Sequence, residues 1–134
     1  MQVPGSDFLQ NTLSQLLEIR GLSIRYLPPG GSPVHPVKFV NLRVGAGEIL
    51  GVMGESGSGK STLATTVLRL LPAHAHPTAG AVLFEGRDVL TMRESELRTI
   101  RGSGIAMISQ DPATSLNPVM KIGAQIGEVL RAHL

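Results

Sequence analysis

Glu48 to Leu71 reads EILGVMGESGSGKSTLATTVLRLL: a short apolar run, a loop of small residues, then a segment with helical spacing. The run EILGVM (48–53) is almost unbroken in hydrophobicity, the pattern of a strand buried on both faces in a parallel sheet. Beyond the loop, Leu63, Val67, Leu70 and Leu71 fall on one helical stripe, and Pro72 is expected to stop it. Between them, Gly54-Glu55-Ser56-Gly57-Ser58-Gly59-Lys60-Ser61 fits the pattern G-x-x-x-x-G-K-[ST]. Several peptide N–H groups must point into one concavity for such a loop to hold phosphate, and a Cβ would obstruct either the backbone torsion or the anion. A helix starting near Lys60 adds unpaired N–H groups and the positive end of its dipole. Lys60 is then expected at the β- and γ-phosphates, the Ser61 hydroxyl at Mg²⁺, and the Thr62 hydroxyl at a further phosphate.

Upstream, LLEIRGLSIRY predicts a strand from Leu17 to Tyr26 whose phase slips at Gly21, the mark of a β-bulge. LPPGGSPVHP (27–36) predicts a hairpin loop, and Val40, Leu42 and Val44 one face of a returning strand. GAG (45–47) predicts a tight turn. Downstream, GAVLFEG (80–86) predicts a strand between glycines, RESELRTIRG a short helix with Gly102 just past its end, and IAMIS (105–109) a second buried strand ending at Gln110. From Val119 to Leu134 the apolar residues take helical spacing. Phe8, Leu9, Leu13 and Leu16 hint at a short helix capped by Ser6 or Asp7 in an N-terminal extension, residues 1–16. This order of elements implies α/β with an antiparallel β part at the start.

Composition sets the bounds. The 134 residues are 42% hydrophobic and 16% charged, with a formal net charge of +2, as in a soluble single domain. The basic residues are scattered rather than massed, which argues against nucleic acid as a partner. Cysteine is absent, so disulfides and thiol chemistry are excluded. No apolar run nears the ~20 residues of a membrane span, and the first basic residue is Arg20, so the N-terminus lacks a secretory start. His74 and His76 lack a third ligand and read as solvated loop residues, and Arg93 to Arg101 as a solvated helix face.

The run AMISQDPATSLNPVMKIGAQIGE (106–128) resembles the Q-loop region of ATP-binding-cassette transporter ATPases. Its Thr114-Ser115-Leu116-Asn117-Pro118 and Ile122-Gly123 are similar to the dipeptide, oligopeptide and nickel importer branch. GEILGVMGESGSGKSTLA and GAVLFEGRDVL resemble the same family, and the likeness runs from Leu17 to Leu134. It implies a P-loop NTPase (RecA-like) core, with residues 17–134 as the N-terminal part of a nucleotide-binding domain. It implies ATP and Mg²⁺ as cofactors, with Tyr26 stacking on adenine and Gln110 joining Ser61 around the Mg²⁺ and γ-phosphate. Its partners would be transmembrane permease subunits and a second ATP-binding subunit, identical or not, with the chain peripheral on the cytoplasmic side of the inner membrane. In that setting Leu116, Val119, Met120 and Ile122 are expected to form an exposed apolar patch that docks on the transporter.

Hydrolysis in this family also needs a hydrophobic strand ending in Asp-Glu, an LSGGQ signature and a switch histidine. None occurs after Ser61; Val82-Leu83-Phe84-Glu85 lacks the aspartate, and none of the four histidines matches the switch position. The expectation is a domain truncated before the signature, binding nucleotide without turning it over. A non-hydrolysing binding module and a small P-loop kinase are the alternatives.

Overall fold

The computed structural model describes residues 15–111 and 116–133. They form two compact units that divide between Met92 and Arg93. Of the residues on which an N-terminal helix is expected, Phe8, Leu9 and Leu13 lie outside the described residues, as do Pro112, Thr114 and Ser115. Leu16 instead belongs to the first strand, which begins at Gln15 and so enters the expected extension 1–16.

The first unit is an antiparallel sheet with one helix. Its strands β1 (Gln15–Tyr26), β2 (Val34–Gly45), β3 (Ala75–Phe84) and β4 (Arg87–Asp88) lie in the order β2-β1-β3-β4, and helix α1 is Lys60–Val67. β1 is central because its apolar residues serve one face along its whole length. Ile19 pairs with Leu42 and Val82, and Leu22 with Val40. Between these pairs the register shifts and Gly21 turns to φ 54°, so the phase slip is a bulge. The bulge returns Leu22 and Ile24 to the face of Ile19, and all three are fully buried with Val82. Burying each such side chain stabilises the sheet by about 1.5–3 kcal/mol.

Side chains hold the bulge where the ladder is broken. The Gly21 N–H donates to Asn41 Oδ1 at 2.7 Å, and the Phe39 N–H donates to Ser23 Oγ at 3.0 Å. Phe39 itself adopts φ 50°. β3 crosses the bulge at Gly80, where a Cβ would stand 2.5 Å from the Arg20 carbonyl oxygen. On the other face, Glu18 accepts from Arg20 at 2.6 Å and from its cross-strand partner Arg43 at 2.9 Å. The Arg20 hydrogen bond, reinforced by that of Arg43, holds the buried carboxyl below its ordinary value despite its burial.

Several expectations change. β2 begins at Val34, so the hairpin loop is shorter than 27–36; Pro36 is tolerated because β2 is an edge strand, where a missing N–H costs no ladder bond. β3 begins at Ala75, which places His76 in a strand opposite Arg25 rather than in a loop. α1 ends well before Pro72. The Arg69 N–H bonds to Thr66 O and the Leu70 N–H to Thr65 O, with Arg69 at φ 52°, which is a Schellman turn closed without glycine. The buried stripe is accordingly Leu63, Thr66 and Leu68, with Leu70 exposed.

The largest correction concerns the two expected parallel strands. Residues 48–53 and 105–109 form neither, and Ile49 (97%) and Ile108 (96%) are almost wholly exposed. An apolar run becomes a buried strand only when neighbours pair with both its edges and helices cover its faces. No described strand pairs with either run; the one parallel contact among the described residues is the isolated bridge of Arg101 with Ile105. The expected turn at 45–47 does form, with the Glu48 N–H on Gly45 O.

The second unit holds helices α2 (Glu94–Ile100) and α3 (Ile122–His133). α2 starts with Glu94 and Glu96 in its first turn, and Glu96 accepts from the Arg93 N–H at 3.0 Å. It buries Leu97 and ends before Gly102, which adopts φ 89°. Its exposed side carries the expected mixed charges, with Arg101 paired to Glu94 at 2.6 Å. α3 buries none of its residues.

Candidate phosphate-binding site

The loop before α1 is shaped by where a side chain can and cannot stand. Gly57 (φ 80°) and Gly59 (φ 93°) take left-handed torsions, and the Ser58 N–H closes a turn on Glu55 O at 3.2 Å. Gly59 caps α1, and its carbonyl accepts the first helical bond from the Leu63 N–H at 2.8 Å. Its Cα lies flat against β2: a Cβ there would meet Pro36 O at 2.5 Å and Val37 Cγ2 at 3.3 Å. At Gly54 a Cβ would meet the Ser58 hydroxyl at 2.8 Å. The edge strand thus sets how close the loop can come, which the motif alone does not reveal.

The first turn of α1 is held rigidly. Thr65 Oγ1 donates to the carbonyls of Ser61 (2.9 Å) and Thr62 (3.1 Å), and Thr66 Oγ1 to that of Thr62 (2.6 Å). The N–H groups of Lys60, Ser61 and Thr62 have no carbonyl behind them within the helix, and they carry the positive end of its dipole. Lys60 folds back over the loop. Its ammonium donates to Gly54 O at 2.7 Å, Glu55 O at 2.6 Å and Ser58 Oγ at 3.3 Å. One cation, the first-turn N–H groups and two left-handed glycines thus stand together at the start of α1, and such an arrangement suits a multiply charged anion.

A cleft of about 470 Å³ adjoins the loop, walled by Val37, Val40 and Leu42 of β2 and by Leu50 and Val52 of the entering segment. Tyr26 is not among its lining residues. Its ring instead meets His74 edge to face, with centroids 5.2 Å apart and planes at 69°. Gln110 belongs to the second unit and is exposed on a bend beside Ser109, whose hydroxyl donates to Asp111 O at 3.0 Å. The residues 54–62 expected at a phosphate are thus contiguous in space, whereas Tyr26 stands apart from the cleft with a ring partner of its own. Among the described residues no group of three His, Asp or Glu is arranged to hold a metal.

Comparison with known proteins places this geometry. The model of the ABC transporter family matches residues 37–131, from the strand behind Gly59 almost to the end of α3. The chain is 43% identical over 122 residues to the oligopeptide transport ATP-binding protein OppD of Bacillus subtilis, covering 90% of this chain and 34% of that protein. It is 47% identical over 120 residues to the peptidoglycan transport ATP-binding protein YejF of Agrobacterium fabrum, covering 88% and 22%. To OppD of Salmonella typhimurium it is 45% identical over 118 residues, covering 88% and 35%. The chain thus spans about a third or less of the length of these relatives. With a glycine-rich loop framed by β2 and α1 and a family match over most of its length, the chain belongs to the ABC transporter family.

Proposed function

We propose that this chain binds the triphosphate of ATP at Gly54–Thr62, as the N-terminal part of a nucleotide-binding domain that serves peptide import. One observation carries the reading: the Lys60 ammonium lies over the loop at the N-terminus of α1, where a phosphate oxygen can replace its carbonyl partners. Backbone N–H groups from Glu55 to Thr62 would hold the phosphates, with the Thr62 hydroxyl on one of them and Lys60 at the β- and γ-phosphates. The donor set suits Mg²⁺ held through the nucleotide, since the hydroxyl of Ser61 stands at the start of the helix and, among the described residues, no carboxylate cluster competes for the ion. When bound, Mg²⁺ draws charge from the phosphate oxygens; Ser61 is the side chain of the first unit that we assign to it. Tyr26 is assigned to the base, for which its ring must exchange or share its contact with His74.

The relatives are named for oligopeptide and peptidoglycan transport, and we assign this chain to the same broad class of peptide-derived solutes. Permease subunits and a second ATP-binding subunit would complete the importer on the cytoplasmic face of the inner membrane. Among the described residues no helix is long and apolar enough to cross a membrane, so a peripheral position is the one proposed. This sequence carries no Asp-Glu strand end and no LSGGQ, so we assign it nucleotide binding without turnover of its own. The family match favours this reading over a self-contained kinase.

Calorimetry with Mg·ATP tests the assignment. Wild-type chain should bind, and Lys60→Ala should weaken binding by about tenfold or more, since a charged hydrogen bond to phosphate contributes about 1.5–3 kcal/mol. Equal affinity in the two proteins would remove the phosphate loop from the site. ATPase activity should stay at background in both; activity that vanishes with Lys60→Ala would instead mark a self-sufficient enzyme.

A further inference from the structure

We infer that His74 is a positioning residue for nucleotide binding, which holds the Tyr26 ring ready to stack on the base. The inference rests on the nucleotide-binding reading above and deepens it at the base end of the same site. Tyr26 ends β1 and is half-buried, whereas His74 is exposed in the turn before β3. Their rings meet edge to face, with centroids 5.2 Å apart and planes at 69°. The backbone fixes this meeting from both sides. The Ala75 N–H closes the turn on Pro72 O at 2.8 Å, and the Leu27 N–H donates to His74 O at 2.8 Å. Tyr26 itself lies opposite the buried Ala75 in the ladder. His74 therefore cannot drift from Tyr26 without breaking the end of the sheet.

The ring pair stands at the end of the sheet that a nucleotide can reach. Tyr26 pairs with Val34 of β2, and two residues further on, Pro36 O is the atom against which Gly59 is pressed. At roughly 3.3 Å per residue, about 7 Å of strand separates the partner of Tyr26 from the phosphate loop, a span that a nucleoside triphosphate covers. An edge-to-face contact takes at most one face of the phenol, and stacking on a base needs only the other. Without His74 the Tyr26 ring must be ordered during binding; with it, folding has already ordered the ring. The imidazole acts here as a flat ring rather than as a base or a cation, so another aromatic can replace it.

Spectroscopy and calorimetry on the whole chain test this. Tyr26 is the only tyrosine and tryptophan is absent, so the tyrosine band of the near-ultraviolet circular dichroism reports this ring alone. Without nucleotide, His74→Ala should weaken that band and His74→Phe should keep it. His74→Ala should bind Mg·ATP about fivefold more weakly, the loss expected when one more side chain is ordered on binding, while magnesium tripolyphosphate binds unchanged. His74→Phe should recover the ATP affinity, and His74→Ala should have no effect on it in a chain that already carries Tyr26→Ala. An unchanged tyrosine band, an unchanged ATP affinity, or a loss that tripolyphosphate shares overturns the positioning role and leaves the phosphate loop assigned. A wild-type chain that binds neither ATP nor tripolyphosphate overturns the phosphate-loop reading and this inference with it.

Discussion

Gly59 and Gly57 share a left-handed backbone but not an environment, and that difference sets what each tolerates. At Gly57 nothing lies within 4 Å of an added Cβ, so Gly57→Ala should cost only the torsional penalty, about 1–2 kcal/mol. At Gly59 the same penalty is joined by a collision with Pro36 O, which is backbone of a paired strand and cannot swing aside. Gly59→Ala should therefore destabilise by at least about 2–3 kcal/mol and displace the loop. Urea unfolding of the two variants checks this, and equal losses would show that the loop does not lean on β2. Glu18 supplies a second residue-scale expectation. Its folded pKa lies below its ordinary value because Arg20 and Arg43 favour the charged form, so its contribution is present above the unfolded value near 4.5. That contribution is lost as pH falls through the lower folded value. Both arginine side chains are more than half exposed, so Glu18→Gln should cost only about 1 kcal/mol at neutral pH. The difference between wild type and variant should shrink below pH 4.5; a difference independent of pH would mean that the ion trio contributes nothing through charge.

Elements with local causes were legible in the sequence, and elements with distant causes were not. The bulge at Gly21, the turn at 45–47 with Gly47 at φ 74°, and the start of α1 at Gly59 each follow from a glycine placed where a left-handed torsion or a change of phase is needed. The left-handed glycines of the loop before α1, Gly57 and Gly59, were legible for the same reason, since that geometry is written into adjacent residues. The end of α1 was misjudged because Pro72 is a visible stop, whereas Arg69 at φ 52° is an unannounced one. Residues 48–53 and 105–109 were misjudged because a buried strand depends on partners remote in sequence. The clasp of Glu18 by Arg20 and Arg43 went unread for a related reason: register must be known before Arg43 can be set opposite Glu18. The β3–β4 hairpin offers a test at this scale. Its two-residue turn holds Glu85 at φ 49° and Gly86 at φ 77°, a type I′ geometry that favours Asn or Gly at the first position. Glu85→Gly should thus stabilise the first unit by about 0.5–1 kcal/mol. A lower urea midpoint in that variant would show that the Glu85 side chain holds the turn by some other means.

For the whole molecule, the balance of buried and exposed apolar surface dictates behaviour in solution. The first unit has a core between β1, β2, β3 and α1, but the segment 49–53 leaves Ile49 and Met53 uncovered. In the second unit Ile122, Ile126, Val129 and Leu130 recur at helical spacing along α3, and every one is exposed. Leu116 and Val119 extend this surface, as expected from the sequence; Met120 does not, being half-buried with its carbonyl taken by Gln125 Nε2 at 3.0 Å. An apolar stripe on a helix is stable in water only at a cost that association relieves, and each large side chain covered returns about 1.5–3 kcal/mol at most. The chain alone should therefore self-associate as its concentration rises. Replacing Ile126 and Val129 together with Ser removes the middle of the stripe without touching a buried residue, so helicity should persist while the heavier species recede. Sedimentation velocity across a hundredfold range of concentration reads the outcome directly. A wild-type chain that stays monomeric throughout, or a double variant that associates just as strongly, would show that the exposed face of α3 does not govern how this chain meets other surfaces.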